Sequence, residues 1–111
     1  MWFHFFPKYY KLEFYVPPED ADKVKQAVFA AGGGNYGKYS NCCWCSGGEG
    51  EFLPLTGAEP FIGKIGQVER VPEIKVELIC HRSKISAVIR ALKNAHPYET
   101  PAFNYYPIKI C

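Results

Sequence analysis

All ten glycines of this 111-residue chain fall between Gly32 and Gly66. Residues 31–66, AGGGNYGKYSNCCWCSGGEGEFLPLTGAEPFIGKIG, also carry three of the five cysteines and a series of aromatic side chains. Glycine takes up positive φ without a steric penalty, so a segment this rich in it favours tight turns and hairpins. Regular structure is therefore expected on either side, with the middle carried by that frame.

The flanks read as strand and helix, twice over. Residues 9–16 alternate, with Tyr10, Leu12, Phe14 and Val16 on one face and Tyr9, Lys11, Glu13 and Tyr15 on the other, the period of a strand with one buried side. Pro17 and Pro18 end it, and Glu19, Asp20 and Asp22 supply negative charge where the N-terminus of a helix favours it. Val24, Ala27, Val28 and Ala31 then recur at helical spacing until Gly32, Gly33 and Gly34 stop the helix. Farther on, Ile74, Val76, Leu78 and Cys80 alternate with Glu73, Lys75, Glu77 and Ile79, giving a long strand from Gln67 to about His81, bent near Pro72. Ser83 is expected to cap a second helix with the stripe Ile85, Val88, Ile89 and Leu92, ended by Asn94 and Pro97. Residues 102–110 form the last strand, and Pro107 predicts an edge or a bulge there.

Within the middle, residues 39–46 and 51–55 are expected to pair as a hairpin across Gly47, Gly48 and Gly50, with Trp44 and Phe52 as cross-strand aromatics. Pro54, Gly57 and Pro60 then mark a loop. The resulting order, β-α-β-β-α-β, predicts an α+β, ferredoxin-like domain spanning residues 1–111, an antiparallel sheet with two helices on one face. Tyr9, Tyr15 and Tyr105 or Tyr106 are expected on the other face, where association of subunits would cover them.

Composition closes off several classes. Aromatic residues make up 16% and charged residues 22%, which suits a folded chain and argues against disorder. The net charge of +2 is spread without a basic stripe, so no nucleic-acid partner is expected. The opening MWFHFFPKYY lacks a basic leader region and is broken by Pro7, so neither a signal peptide nor a membrane span is expected. Five cysteines, three of them crowded at Cys42, Cys43 and Cys45, do not form a disulfide framework, and a reducing, cytoplasmic setting is the simpler expectation.

Four stretches in order carry a resemblance: residues 31–42 (AGGGNYGKYSNC), 48–54 (GEGEFLP), 57–63 (GAEPFIG) and 96–102 (HPYETPA). Together they resemble the inserted domain of the YqfO branch of the NGG-interacting-factor family, itself similar to CutA and PII proteins. The resemblance implies a CutA/PII-type fold, a homotrimer, and a binding or regulatory role. It also implies an insert standing without the dinuclear-metal body of the family, so the hydrolase-like activity of that body is not expected here. The HPYE-x-P stretch is similar to that of CutA, a family linked to tolerance of divalent metals, so a divalent metal is one cofactor the resemblance suggests.

Candidate site residues fall into two groups. His96, Tyr98 and Glu99, with Tyr39 from the glycine-rich segment, are the ligand-binding candidates, because an imidazole beside a carboxylate can hold a metal or move a proton near neutral pH. The alternative is structural, with Pro97 and Pro101 stiffening a turn whose polar groups bond across a boundary. Cys42, Cys43 and Cys45, with His96 or with Cys80 or His81 as a distant fourth partner, are the metal candidates, since thiolates suit soft ions. Against this, a strand sends Cys43 and Cys45 to one face and Cys42 to the other. The glycine run follows a helix instead of preceding one, so it reads as a helix end and not as a phosphate loop. No catalytic set emerges, and a non-enzymatic module binding a small ligand leads over a metallochaperone and over a docking domain for a protein partner.

Overall fold

The computed structural model describes residues 7–110; the aromatic opening at 1–6 and Cys111 lie outside the described residues. Four strands and two α-helices follow in the expected order: β1 Tyr9–Val16, α1 Ala21–Ala30 after a short 3-10 turn at Pro18–Asp20, β2 Trp44–Phe52, β3 Glu69–His81, α2 Ile85–Ala95 and β4 Phe103–Ile108. The strands form one antiparallel sheet in the order β2-β3-β1-β4, the arrangement of a ferredoxin-like fold. No helix among the described residues is long and apolar enough to cross a membrane.

Period-2 and period-3.6 stripes meet in the core. Leu12, Phe14 and Val16 from β1 and Val76, Leu78 and Cys80 from β3 pack against Val24 and Val28 of α1 and Val88 and Leu92 of α2. Full burial of each large aliphatic or aromatic side chain is worth roughly 1.5–3 kcal/mol, so this layer holds the sheet to the helices. At the end of α1, Gly33 N–H donates to the Val28 carbonyl (3.0 Å) and Gly34 N–H to the Ile79 carbonyl (2.8 Å), which turns the chain back onto the sheet. Gly34 sits at φ 79°, and a Cβ there would lie 2.9 Å from the Cys42 carbonyl oxygen, so glycine is required.

The expected 39–46/51–55 hairpin does not form. Residues 44–52 make one uninterrupted strand, with Gly47 opposite Ile74, Gly48 opposite Glu73 and Gly50 opposite Val71 of β3. Trp44 and Phe52 are the two ends of this strand, not cross-strand partners. The reason lies in β3, whose 13 residues outrun the 8 of β1. β1 pairs with β3 only from Ile74 to His81, and the remainder of β3 is paired by β2. Pro72 lies in that remainder, where β1 needs no amide from it. The tight turn instead falls at 36–39, closed by reciprocal backbone bonds between Tyr36 and Tyr39 of 2.8 and 2.9 Å.

Two smaller differences follow from side-chain competition and register. Ser83 does not cap α2: Lys84 holds the N-cap position without a side-chain bond, and the Ser83 hydroxyl lies 2.8 Å from His81 Nδ1. On β4, Tyr105 pairs with Leu12 on the helix-covered side and meets Tyr10 edge-on, whereas Tyr106 opposes Lys11 on the other face. That face is mixed in character. Tyr106 donates to the Glu13 carboxylate (3.0 Å), Lys75 lies 3.9 Å from it, and Tyr9 packs edge-on against His81.

Candidate functional site

The connection from α2 to β4 is built around His96. Prolines at 97 and 101 restrict the backbone on both sides of Tyr98 and Glu99. Tyr98 N–H donates to His96 Nδ1 (3.1 Å), which leaves the ring proton on Nε2, and Nε2 donates to the Tyr15 carbonyl at 2.7 Å. Both nitrogens are thus engaged, and His96 fastens the turn to the end of β1. Its burial lowers the pKa below the ordinary histidine value, against a smaller opposing effect of the Tyr15 carbonyl. This is the neutral imidazole that the two bonds require.

Glu99 fastens the same turn to the loop between β2 and β3, its Oε1 accepting the Glu59 N–H at 3.1 Å. Between turn and loop lies a cleft of about 290 Å³. Phe52, Phe61 and Ile62 form apolar walls, while Glu73, Tyr98 and Glu99 supply polar groups. The Tyr98 ring lies 6.3 Å from both Phe52 and Phe61 and 4.9 Å from His96. Its hydroxyl oxygen is buried with no hydrogen-bond partner among the described residues. Burial, and after it the Glu73 carboxylate, push the phenol up to about 12, so it stays protonated as a donor. Glu73 raises the phenol pKa through its charge and through a loose approach to the hydroxyl that falls short of a hydrogen bond of ordinary geometry.

Glycine makes room for Glu73. A Cβ on Gly50 would overlap the Glu73 carboxylate, which lies across β2 at that point. The pattern of β3 alone places Glu73 on a solvent side, and nothing local to it or to Phe61 marks a cleft. The signal available in the sequence is the set of motif stretches: 48–54, 57–63 and 96–102 all contribute to this one cavity.

The other candidates lie elsewhere. Tyr39 is 75% exposed at the 36–39 turn and does not line the cleft. Cys42 is half-buried with its thiol toward the Ser40 carbonyl, and the exposed Cys43 and Cys45 have sulfurs 3.9 Å apart. Partial burial and then the Cys45 sulfur raise the Cys43 pKa. Cys80 is buried in the core, where burial pushes its thiol up to about 11. Among the described residues, no group of three or more His, Cys, Asp or Glu side chains is placed to hold a metal ion. His96 and the cysteines are not brought together: from Trp44 to Phe52 the strand alone spans roughly 26 Å.

No family model matches the chain. It is 44% identical over 99 residues to a Bacillus subtilis protein named GTP cyclohydrolase 1 type 2 homolog, covering 89% of this chain and 26% of that protein. The Mycobacterium bovis protein of the same name is 46% identical over 94 residues, covering 85% and 25%. The chain thus spans about a quarter of the length of these curated relatives. Among solved structures, a Bacillus cereus protein related to NIF3 superposes with a TM-score of 0.81 at 36% identity, over 96% of this chain and 27% of that one. The periplasmic divalent cation tolerance protein CutA of Archaeoglobus fulgidus superposes at 0.65 with 17% identity, over 93% and 86%. Bacillus subtilis GlnK in complex with ATP superposes at 0.60 with 16% identity, over 90% and 81%. At those identities the last two speak for the fold alone. Sequence over one domain's length and fold agree, and the chain belongs to the YqfO branch of the NGG-interacting-factor family through its CutA/PII-like domain.

Proposed function

We propose that the chain is a non-enzymatic binding or regulatory module of CutA/PII type, which works as an oligomer, in its simplest form a homotrimer, and holds a small ligand beside Tyr98 and Glu99. The observation that carries this reading is the convergence of stretches 48–54, 57–63 and 96–102 on one cleft, with the turn pinned by His96 and the loop tied in by Glu99. Pinning of this kind gives a preformed site, which lowers the ordering entropy of binding. Oligomer formation is supported by the uncovered sheet face, where Tyr9, Tyr15 and Tyr106 stand among charged groups. Tyr39 lies outside the cleft of its own chain, so its part in a site depends on a neighbouring subunit. The exposed thiols of Cys43 and Cys45 suit a reducing, cytoplasmic setting.

The cyclohydrolase activity in the relatives' name belongs to proteins of which this chain spans a quarter, and it is not carried over. A metallochaperone using His96, Glu99 and the cysteines is not favoured, because it draws on places at opposite ends of β2 and on an imidazole with both nitrogens engaged. Native mass spectrometry of the untagged protein tests the proposal. A trimer is expected, and a monomer at every concentration up to about 100 μM, well above the Kd range of specific assemblies, would overturn the oligomeric part.

A further inference from the structure

We propose that the cleft is selective for a small organic cation: a flat, apolar body carrying a protonated amine or amidinium, held between Phe52, Phe61 and Tyr98 with its charge against Glu73. The inference rests on the reading of this cleft as a ligand site and adds the class of ligand. Two features of the lining support it. The walls are largely aromatic and aliphatic, and a volume of about 290 Å³ stands at the small end of ligand pockets. Aromatic faces attract a desolvated cation through their quadrupoles. The Tyr98 hydroxyl, buried beside Glu73 and without a hydrogen-bond partner of ordinary geometry among the described residues, can turn its proton to a ligand acceptor or its lone pairs to a ligand N–H.

Charge sets the sign of the ligand. Among the described residues no Lys, Arg or His lines the cleft, while Glu51, Glu73 and Glu99 do. Two of these carboxylates are already engaged: Glu51 pairs with Arg70 at 2.8 Å at the exposed rim, and Glu99 accepts the Glu59 N–H. Glu73 is half-buried, lies across Gly50, and has no ion pair among the described residues. A partly desolvated carboxylate without a counter-ion gains from an arriving cation and repels an arriving anion. The ATP of the GlnK complex therefore does not transfer to this cleft, since its phosphates would meet carboxylates.

The test is a calorimetric and 1H–15N NMR titration of the full chain with tryptamine, with indole-3-acetate as the anion of matched shape and ATP as the phosphate control. Tryptamine is expected to bind saturably, shifting amides of residues 52–62 and 96–102, and at least tenfold more tightly than indole-3-acetate. Glu73→Gln should weaken tryptamine at least tenfold and narrow that gap, while Asp22→Asn on α1, exposed and outside the cleft, changes either affinity less than threefold. Phe61→Ala, in an exposed loop position that the core does not need, should weaken both indoles and serves if Glu73→Gln fails to fold. Indole-3-acetate or ATP binding at the cleft as tightly as tryptamine would overturn the cation inference and leave the cleft reading standing, as would an unchanged affinity in folded Glu73→Gln. Absence of any shift at the cleft with all three probes would overturn both. Shifts that follow protein concentration instead of probe would assign the cleft to a second copy of the chain and overturn the inference.

Discussion

The two ends of the β2–β3 pair are built differently. Toward Trp44, β3 is flanked on both sides, by β2 and by β1, and α1 and α2 press a continuous core onto it. Toward Phe52, β3 has β2 alone as partner from Glu69 to Glu73, and the helices do not cover the pair. A two-stranded ribbon is marginal in water. Here it is held by other means, with the loop leaning on the Tyr98 ring and the turn tied down by His96 and Glu99. The four-stranded end supplies global stability, and the ribbon end, of lower local stability, is where a ligand can add order.

The largest effect is expected at the four-stranded end. Phe14 is fully buried between sheet and helices, and Phe14→Ala should lower unfolding free energy by about 3–5 kcal/mol. Chemical denaturation followed by far-UV circular dichroism checks it. Loss of structure at both ends together is expected; a ribbon that stays protected in hydrogen exchange while the core opens would mean that it folds independently.

A middle-sized effect belongs to the joint between the two ends. His96→Gln removes an imidazole that serves one carbonyl and one amide, and leaving those buried groups poorly paired should cost about 1–3 kcal/mol. The effect has a pH signature. His96's folded pKa lies below its unfolded value near 6.5, so the unfolded chain binds the proton first. Stability is therefore full above pH 6.5 and falls as pH drops from there toward the folded pKa. In His96→Gln this part of the slope should be missing. An unaltered pH profile of Tm in the variant would show that His96 does not titrate with folding.

How far the sequence discloses this architecture depends on how local each cause is. β1, α1 and α2 follow from the spacing of Leu12, Phe14 and Val16, of Val24 and Val28, and of Val88 and Leu92, because those periods are set by each element's own backbone. β2 is less legible, since Gly47, Gly48 and Gly50 suit either a turn or a narrow strand, and only the surplus length of β3 decides between them. Ser83 is a sound cap in isolation, but His81 takes its hydroxyl. At the site, the cluster His96, Tyr98 and Glu99 is visible as a sequence, whereas Glu73 and Phe61 enter only through a distant pairing and a loop closure. The family stretches point to the cleft because they mark three segments, but not that the three would meet.

The smallest effect on stability is expected at Gly50, and it is the most specific to the ribbon end. Gly50 has no positive φ, so alanine there loses less chain entropy on folding, worth roughly 0.4–1 kcal/mol in its favour. Against this, the new methyl takes the place of the Glu73 carboxylate. That carboxylate is the free end of a flexible side chain and can swing away, so the net change in stability should stay within about 1 kcal/mol. The cleft should nevertheless change, because Glu73 helps to hold the Tyr98 phenol at about 12. Spectrophotometric titration of tyrosine in Gly50→Ala is expected to show one phenol moving down toward 10. If thermal unfolding is nearly unchanged while that phenol and the cleft amides shift, the ribbon end carries binding apart from stability; if Gly50→Ala unfolds with the severity of Phe14→Ala, the two ends are one cooperative unit and the contrast between them fails.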